Sequence, residues 1–375
     1  MGKLKIALVS DWYYPKVGGI EYSINALAIG LTLLGHEVQI ITREWSGSFP
    51  SKIPEEIKVI RVEGRAISEH FMVPSAYKKL NNLVRSGGFD VVHVHGLDSP
   101  MAMCSLLTAR RAGIPTVVTN HSLVGKGHRK YPFILAGKFL MRSADAIIAV
   151  SSATLRETRR LSKAPVYLIP NGIDDISTKC RDTYPIFDKN GNFVITTVSR
   201  ITKKKGVKDL VEIAPVLLKE KENLLFLIVG DGPERKKLED MVERMNISRS
   251  FRFTGEVPRD AVLQLLEESD IFVLPSRNEA FGISILEAFS KNVPVVARNH
   301  SGVSDIIVQR KTGLLSEDNR DMARQVKDLI ENADLRESLA TAAFGEIGKY
   351  KWDNIASRIE EVYTRVIHEK DLHHC

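Results

Sequence analysis

The sequence predicts an α/β protein with two doubly wound domains, each built on a largely parallel sheet. Short apolar, β-branched runs alternate with longer helical patterns along most of the chain, which is typical of βαβ units. The runs are apolar at nearly every position, as expected for strands that are buried on both faces of a parallel sheet. The alternation is interrupted once, at residues 174–191, where the chain is polar, rich in turn residues and poorly periodic.

The first half of the chain supplies the first domain. Strands are expected at residues 4–9, 37–42, 91–95, 116–119, 146–150 and 166–169. Helices are expected between them at residues 20–34, 99–112 and 151–161. Pro170-Asn171-Gly172 closes this series, and we interpret the polar segment that follows as an interdomain linker.

The second half restarts the same pattern. Its strands are expected at residues 193–199, 224–229, 250–254, 271–274 and 294–297. The chain then ends in a predicted amphipathic helix over residues 352–368, whose apolar positions recur at helical spacing: Ile355, Ile359, Val362, Tyr363 and Val366. An apolar face of this kind requires a partner surface on one of the domains.

Composition excludes several classes of protein. With 375 residues, 43% of them hydrophobic and 26% charged, the chain is neither disordered nor collagen-like. No apolar run approaches the roughly 18 residues that span a bilayer, and Lys3 and Lys5 bracket a strand rather than introduce a signal peptide. Cys104, Cys180 and Cys375 share no motif spacing, so we expect a reducing, cytoplasmic compartment and no disulfide framework.

The net charge of +7 is concentrated in the first half. Residues 1–175 hold 22 Lys and Arg against 14 Asp and Glu, whereas residues 176–375 hold 31 against 32. The surplus is sharpest between positions 101 and 163. A basic half fits nucleic acid, an anionic membrane or a solvated helical surface. Because the segment lacks interleaved aromatic residues and any nucleic-acid motif, we do not expect a nucleic-acid partner.

A pair of glycines follows the first strand. Gly18-Gly19 opens a helix, where backbone N–H groups can approach an anion. The spacing differs from the dinucleotide fingerprint, and the second strand ends in Ile41-Thr42-Arg43 without an acidic residue, so NAD binding is not expected. A tight turn without a ligand is the alternative.

The second domain carries stronger signals for an anion. Arg200 ends its first strand, and Lys205 follows in a short loop before a helix. Two cations at a strand end suit a diphosphate, since arginine offers a planar fork and lysine a point charge. The alternative is a solvated run of lysines at 203–205.

A third signal runs from a loop into a helix after the strand at 271–274. Glu279 precedes the helix, where a carboxylate can meet sugar hydroxyls, and Glu287 lies one to two turns inside it, where it could accept both ribose hydroxyls. Phe281, Gly282 and Ile283 offer backbone N–H groups to phosphate oxygens. Alternatively, Glu279 complements the helix dipole and Glu287 makes a surface ion pair.

These segments carry a family resemblance. The set comprises Gly18-Gly19, Asn120-His121, residues 170–174, Arg200 with Lys205-Gly206, residues 230–233, and Glu279 with Glu287. In this order it resembles the retaining, nucleotide-sugar-dependent glycosyltransferases of family GT4, and the likeness covers nearly the whole chain. Residues 9–15, 18–21 and 120–123 are most similar to the catalytic subunit that starts glycosylphosphatidylinositol anchors and to phosphatidylinositol mannosyltransferases.

The resemblance implies the GT-B fold, with two Rossmann-like domains that face a deep cleft. Residues 1–173 and 353–375 would form the acceptor-binding domain, and residues 174–352 the nucleotide-sugar-binding domain. The C-terminal helix would cross back to the first domain, which supplies the partner surface that its apolar face requires.

The resemblance also implies roles for the site residues. Arg200 and Lys205 would hold the diphosphate, Glu287 the ribose and Glu279 the sugar, with the backbone amides of Phe281, Gly282 and Ile283 on phosphate and sugar. From the first domain, Gly19 would cap the diphosphate, with Gly18 also counted among the donor-binding residues. His121 would act near the transferred bond as a hydrogen-bond donor rather than as a nucleophile.

The mechanism expected from the family is metal-independent and retains the configuration of the sugar. No two aspartates occur at DxD spacing, which disfavours a metal-chelated diphosphate and favours stabilisation by Arg200, Lys205 and helix N-terminal amides. Retention would follow from same-face attack with the departing phosphate as base. We expect no cofactor, and a UDP-sugar donor in preference to a GDP-sugar.

For Asp98 and for the pair His93 and His95 in the first domain, the sequence leaves more than one role open. Asp98 is either an acceptor contact or the N-cap of the next helix. His93 and His95 lie on one face of their strand, and a zinc site there would need further ligands that the sequence does not identify.

The basic segment at residues 125–142 mixes cations with apolar residues, and its cations are Lys126, Arg129, Lys130, Lys138 and Arg142. We expect it to dock peripherally on an anionic membrane, on the inner face, where the acceptor is a lipid or glycan hydroxyl such as an inositol phospholipid. An ordinary amphipathic surface helix is the alternative.

Other functions that fit the sequence are a GT-B-fold epimerase or phosphorylase, a basic binding protein without activity, and a catalytically silent subunit. The intact motif set argues against a silent subunit.

Overall fold

The computed structural model describes residues 2–15, 18–45, 54–64, 72–96, 99–123, 139, 141–174, 189–300 and 302–374. The chain divides into two compact units. Unit 1 comprises Met1–Asp174 and Tyr350–Cys375, and unit 2 comprises Asp175–Lys349. These breaks lie one residue and three residues from those expected from the sequence.

Unit 1 is built on a seven-stranded parallel sheet in the order β3-β2-β1-β4-β5-β6-β7. Its strands are β1 (Lys5–Ser10), β2 (Glu37–Arg43), β3 (Lys58–Val62), β4 (Val91–His95), β5 (Thr116–Asn120), β6 (Ala146–Ala149) and β7 (Val166–Leu168). The helices that the structure describes between these strands are α1 (Gly19–Leu33), α2 (Pro74–Ser86), α3 (Pro100–Arg111) and α4 (Ser152–Leu161).

Unit 2 is built on a six-stranded parallel sheet in the order β10-β9-β8-β11-β12-β13. Its strands are β8 (Phe193–Val198), β9 (Leu224–Val229), β10 (Phe251–Gly255), β11 (Ile271–Leu274), β12 (Val295–Arg298) and β13 (Leu314–Ser316). Its helices are α5 (Val207–Glu220), α6 (Arg235–Arg244), α7 (Arg259–Glu267), α8 (Ile283–Ser290), α9 (Asn319–Glu331) and α10 (Ala333–Glu346).

The central strands are buried along their whole length, which explains why their sequences are mostly apolar. Every residue of β4, β5, β11 and β12 is buried. Because both faces of such strands are covered by helices, alternation of polar and apolar residues is lost. Helices start where the chain supplies caps: the Ser99 hydroxyl accepts a hydrogen bond from the Ala102 N–H, and Ser151 forms a capping box with Thr154.

In each sheet the strand order reverses once. The reversal lies between β1 and β4 in unit 1, and between β8 and β11 in unit 2. Open parallel sheets bind ligands outside the carboxyl ends of their strands at this switch point. The loops that follow β1 and β4, and those that follow β8 and β11, are therefore where the chemistry is expected.

The C-terminal helix α11 (Trp352–His374) belongs to unit 1 and packs on α1. The helices approach closely at Gly30, where an added Cβ would lie 2.8 Å from the Cβ of Ala356. Trp352 is buried, donates its indole N–H to the Tyr22 hydroxyl over 3.1 Å, and lies against Gly172. The amphipathic pattern at residues 352–368 therefore finds its partner surface on α1.

The structure also contains elements that the sequence does not predict. Strand β3 mixes charged and apolar residues and is partly exposed at the sheet edge, and β13 has only three residues. Helix α2 was likewise not predicted. Among the residues that the structure describes, no helix combines the length and apolar composition that crossing a membrane requires.

Candidate active site

In unit 2, Lys205 and Glu279 meet at the carboxyl ends of β8 and β11. Lys205 ends a 3₁₀ turn (Lys203–Lys205) that follows β8, and Glu279 lies in the loop between β11 and α8. The Lys205 Nζ is 2.6 Å from Glu279 Oε2, and the glutamate side chain is only 14% exposed. Two residues that the sequence singles out separately thus form one cation–carboxylate pair at the switch point of this sheet.

The loop that carries Lys205 is held close to the loop that follows β11. Gly206 has φ +65, and a Cβ added there would lie 2.3 Å from the Pro275 carbonyl oxygen. The Arg277 N–H donates to the Lys204 carbonyl oxygen over 2.9 Å. Only glycine fits this approach without displacing the backbone, because the site combines left-handed φ with a contact below van der Waals distance.

A buried aspartate ties the same two loops together, and the sequence motifs do not include it. Asp209, on the first turn of α5, is 2% exposed. The Arg277 guanidinium donates to both of its carboxylate oxygens, over 3.0 and 2.7 Å, and Arg298 donates to Oδ2 over 3.0 Å. The carboxylate raises the pKa of Arg277. An acidic residue three positions after Gly206 was the signal available in the sequence, but its partners lie 68 and 89 residues away.

The N-terminus of α8 presents the expected backbone arrangement. Gly282 caps the helix with φ 106, a left-handed conformation that favours glycine. The first turn of any helix leaves N–H groups without a partner inside the helix, which suits an anion. Phe281 is buried, Ile283 is partly exposed, and the Glu279 carbonyl accepts from the Gly302 N–H over 3.0 Å.

The two remaining predicted site residues of unit 2, Glu287 and Arg200, differ in burial. Glu287 is 8% exposed and its Oε1 lies 3.5 Å from Arg259 Nε, so it does form an ion pair, although a largely buried one rather than a surface pair. Arg200 follows β8 with an exposed side chain, and the described residues offer it no ion-pair partner. Among the described residues, no hydrogen bond or ion pair joins it to Lys205 or Glu279.

In unit 1, three histidines gather at the carboxyl ends of β4 and β5. His95 Nδ1 lies 2.9 Å from His121 Nε2, and the two rings stack with centroids 5.2 Å apart. His93 stacks on His95 at 4.3 Å and uses both nitrogens, one with the Tyr363 hydroxyl at 2.7 Å and one with the Thr119 hydroxyl at 2.6 Å.

Burial keeps these imidazoles neutral. Desolvation lowers the pKa of His93 to about 3 and that of His121 to about 4. The pKa of His95 also lies well below its ordinary value, because of burial and then the neighbouring rings. A neutral histidine has one N–H and one bare nitrogen, so each hydrogen bond in the cluster restricts the tautomers of both partners.

The turn that carries His121 is fixed by its neighbour. Asn120 is fully buried, donates to the Thr158 hydroxyl over 3.0 Å and accepts from the Ser122 N–H over 3.0 Å. His121 itself is partly exposed just beyond the end of β5. The motif Asn120-His121 therefore combines a buried anchor with a histidine that can reach a ligand.

Gly18 and Gly19 lie at the start of α1, as the sequence predicts. Gly18 has an extended backbone that any residue adopts, but an added Cβ would lie 2.6 Å from Glu21 Oε2.

Asp98 and four cations of the basic segment, Lys126, Arg129, Lys130 and Lys138, lie outside the described residues. The fifth cation, Arg142, is exposed, and Phe139 nearby in sequence is 50% exposed.

A zinc site at the paired histidines finds no support. Both nitrogens of His93 are used in hydrogen bonds, and the described part of the chain contains no group of three His, Cys, Asp or Glu side chains placed to hold a metal ion. Cys104 carries no disulfide. The expectation of a metal-independent reaction stays a prediction.

Two doubly wound α/β units with candidate site residues at the strand ends are the architecture that the GT-B fold describes. A family model described as Glycosyl transferases group 1 matches residues 185–345, and one described as Glycosyltransferase Family 4 matches residues 17–176. The chain therefore belongs to the family 4, group 1 glycosyltransferases. The family and the fold class expected from the sequence are confirmed.

The chain is similar to several known proteins over most of its length. It is 31% identical to a phosphatidylinositol N-acetylglucosaminyltransferase subunit of Arabidopsis thaliana, over 97% of this chain and 83% of that protein. Alpha-monoglucosyldiacylglycerol synthase of Acholeplasma laidlawii is 25% identical, over 97% of this chain and 98% of that protein. The structure of Anabaena HepE with UDP-glucose matches with a TM-score of 0.83 at 20% identity, over 96% of this chain and all (100%) of that one.

Proposed function

We propose that this glycosyltransferase moves a hexosyl group from a nucleoside diphosphate sugar to a lipid hydroxyl, with retention of configuration. The observation that carries the proposal is the Lys205–Glu279 pair beside the glycine-capped start of α8. A cation and helix N-terminal amides suit a diphosphate, and a carboxylate suits sugar hydroxyls. The relative solved with UDP-glucose supports a UDP-sugar, with a GDP-sugar as the alternative.

In this proposal, Arg200 and Lys205 balance the charge that develops on the leaving diphosphate, which is stabilisation by preorganised cations and dipoles. Glu287 holds the ribose and Glu279 orients the sugar. Same-face attack by the acceptor hydroxyl, with the departing phosphate as base, gives retention without a covalent enzyme intermediate. His121 is proposed to donate a hydrogen bond near the anomeric centre, which suits a group that stays neutral in this site.

Two relatives support a lipid acceptor. Their names specify phosphatidylinositol and diacylglycerol as parts of the molecules they act on or make. We propose that unit 1 binds the acceptor and that residues 125–142 dock on an anionic membrane. The surplus of basic residues in this half of the chain supports such docking, since each cation near an anionic surface contributes about 1 kcal/mol.

The donor is tested by thermal-shift titration with UDP- and GDP-sugars, followed by transfer of labelled sugar to vesicles that contain phosphatidylinositol. We expect one nucleotide class to stabilise the protein by mass action. Lys205→Ala should abolish transfer, and Lys236→Ala, which alters an exposed lysine in unit 2, should leave it unchanged. Undiminished turnover in Lys205→Ala would contradict the assignment. Conversion of the nucleotide sugar to an epimer without acceptor would instead support the epimerase alternative.

Membrane docking is tested by vesicle flotation. Charge reversal at Arg129, Lys130 and Lys138 should reduce binding to anionic vesicles without changing affinity for the nucleotide. Reversal of the same number of charges at Lys219, Lys236 and Lys237, all exposed in unit 2, is the matched control. Equal binding of the wild type to neutral and anionic vesicles, or to neither, contradicts the docking proposal.

A further inference from the structure

His95 occupies an unusual position for a buried polar side chain. It is 2% exposed, and its Nδ1 faces His121 Nε2 at 2.9 Å. Its other nitrogen, Nε2, is buried and has no hydrogen-bond partner among the described residues. The imidazole therefore directs its one polar contact at the histidine that we place at the sugar.

Two tautomer arrangements satisfy this contact, because one proton lies between the facing nitrogens. In the first, His95 Nδ1–H donates to His121 Nε2, His95 Nε2 is a bare lone pair, and the His121 proton is on Nδ1. In the second, His121 Nε2–H donates to His95 Nδ1, and His95 then carries a buried Nε2–H. The second arrangement is disfavoured, because buried N–H groups without an acceptor are the rarest unsatisfied groups in proteins.

We propose that His95 is a positioning residue that donates its Nδ1–H to His121 Nε2 and thereby holds His121 in the tautomer protonated on Nδ1. The His121 Nδ1–H is then directed away from His95 and can donate to the sugar. The same bond fixes the rotation of the His121 ring. The link to catalysis rests on the proposed function, which places His121 at the donor sugar.

His93 packs against the His95 ring and supports its position. Its ring stacks on His95 at 4.3 Å, and its nitrogens are engaged by Tyr363 and Thr119. The hydroxyl of Tyr363, on α11, thus supports the cluster from a helix far along the chain. The stack restrains the plane of the His95 ring, and the contact of its Nδ1 with His121 then sets which ring edge faces that histidine.

The tautomers can be measured directly on protein labelled with ¹⁵N-histidine, by two-bond nitrogen–proton correlation at pH 7.5. We expect a bare Nε2 and a protonated Nδ1 for His121, and the same pattern for His95. A protonated Nε2 on His121 would overturn the inference. This result does not depend on turnover, so it stands even if no nucleotide sugar is found to be a substrate.

Substitutions at position 95 test the consequence for catalysis. His95→Asn places an amide near the former Nδ1, whereas His95→Gln places it near the former Nε2, and His95→Leu removes it. We expect His95→Asn to retain kcat, and the other two variants to lose about tenfold, the value of one hydrogen bond, at similar KM for the donor. Equal loss in all three variants, or rescue by His95→Gln alone, contradicts the inference.

Tyr363→Phe is the control for a purely structural effect. It removes the hydroxyl that engages His93 but leaves the contact of His95 with His121 in place. We expect a lower melting temperature with unchanged kcat and an unchanged His121 tautomer. A loss of kcat in proportion to the loss of stability across all four variants would show that the cluster only supports the fold.

Discussion

Two histidine side chains of unit 1 are buried in their neutral form, which becomes less favourable as the pH falls. His93 is fully buried and His95 nearly so, and burial lowers the pKa of both. Between pH 6.5, where free histidine titrates, and the pKa of about 3 in folded His93, the unfolded chain binds protons that the folded chain excludes. The stability contributed by the neutral rings is therefore complete above pH 6.5 and decreases as pH falls through this window.

We expect the free energy of unfolding of unit 1 to fall by up to about 1.4 kcal/mol per pH unit for each buried imidazole below pH 6.5. All the tryptophans of the chain, Trp12, Trp45 and Trp352, lie in unit 1, so urea unfolding followed by tryptophan fluorescence reports on it. His93→Gln should flatten the dependence. His368→Asn, exposed on α11, should not, and an equal effect of the two changes would contradict the prediction.

The Lys205–Glu279 pair leads to a second prediction at this scale. Without ligand, the carboxylate neutralises the cation that is proposed to bind diphosphate. Glu279→Gln removes this competition and a negative charge near the phosphates. We expect it to bind UDP about two- to fivefold more tightly, the range of partly exposed ion pairs, while transfer is lost. Calorimetric titration with UDP measures the affinity, Glu239→Gln on α6 serves as control, and weaker binding by Glu279→Gln would contradict the prediction.

At the scale of elements, the turn that carries Lys205 is held in place by close backbone and side-chain contacts with the loop after β11. The turn from the 3₁₀ segment into α5 passes within contact distance of the loop after β11 at Gly206. Asp209 then joins that loop to the start of α5 through Arg277. The element that presents Lys205 is thus held from two directions.

Gly206→Ala tests the close approach against conformational cost alone. Gly206 and Gly191 have similar positive φ, of 65 and 71, but only Gly206 has a neighbour within contact of an added Cβ. We expect Gly191→Ala to cost about 1 kcal/mol and Gly206→Ala about 1–3 kcal/mol more, together with weaker UDP binding. Chemical unfolding followed by circular dichroism checks this, and equal losses in the two variants would show that the contact is unimportant.

At the scale of the whole chain, the last helix returns to the unit in which the chain began. Helix α11 completes unit 1 although the whole of unit 2 precedes it. Its first residue, Trp352, is buried against Gly172 and Tyr22, and Tyr363 reaches the histidine cluster. The stability of unit 1 therefore depends on the end of the chain.

Trp352→Ala should lower the free energy of unfolding of unit 1 by about 3–5 kcal/mol, as expected for loss of a buried aromatic ring. The fluorescence of Trp12 and Trp45 follows the transition. Glu369→Ala, exposed on the same helix, should change stability by less than about 0.5 kcal/mol. Unchanged stability in Trp352→Ala would mean that α11 does not contribute to the core of unit 1.

Local patterns carried most of the fold prediction. Runs rich in apolar and β-branched residues located β4, β5, β9 and β11 closely, because strands covered on both faces favour such residues. Strand β3 was not predicted because it lies at a partly exposed edge, where the mixture of charged Lys58 and Arg61 with apolar Val59 and Ile60 resembles many surface segments. Strand β13 is too short to show a period.

The sequence by itself determined the two-domain α/β class and the glycosyltransferase family, and it singled out Lys205, Glu279 and His121 as candidate site residues. These inferences depend on local periodicity and on motifs that are continuous in the chain. Only the tertiary structure decided that His95 faces His121, that Asp209 joins two loops and that α11 packs on α1. Such contacts depend on the order and register of strands, which bring together residues that no local pattern relates.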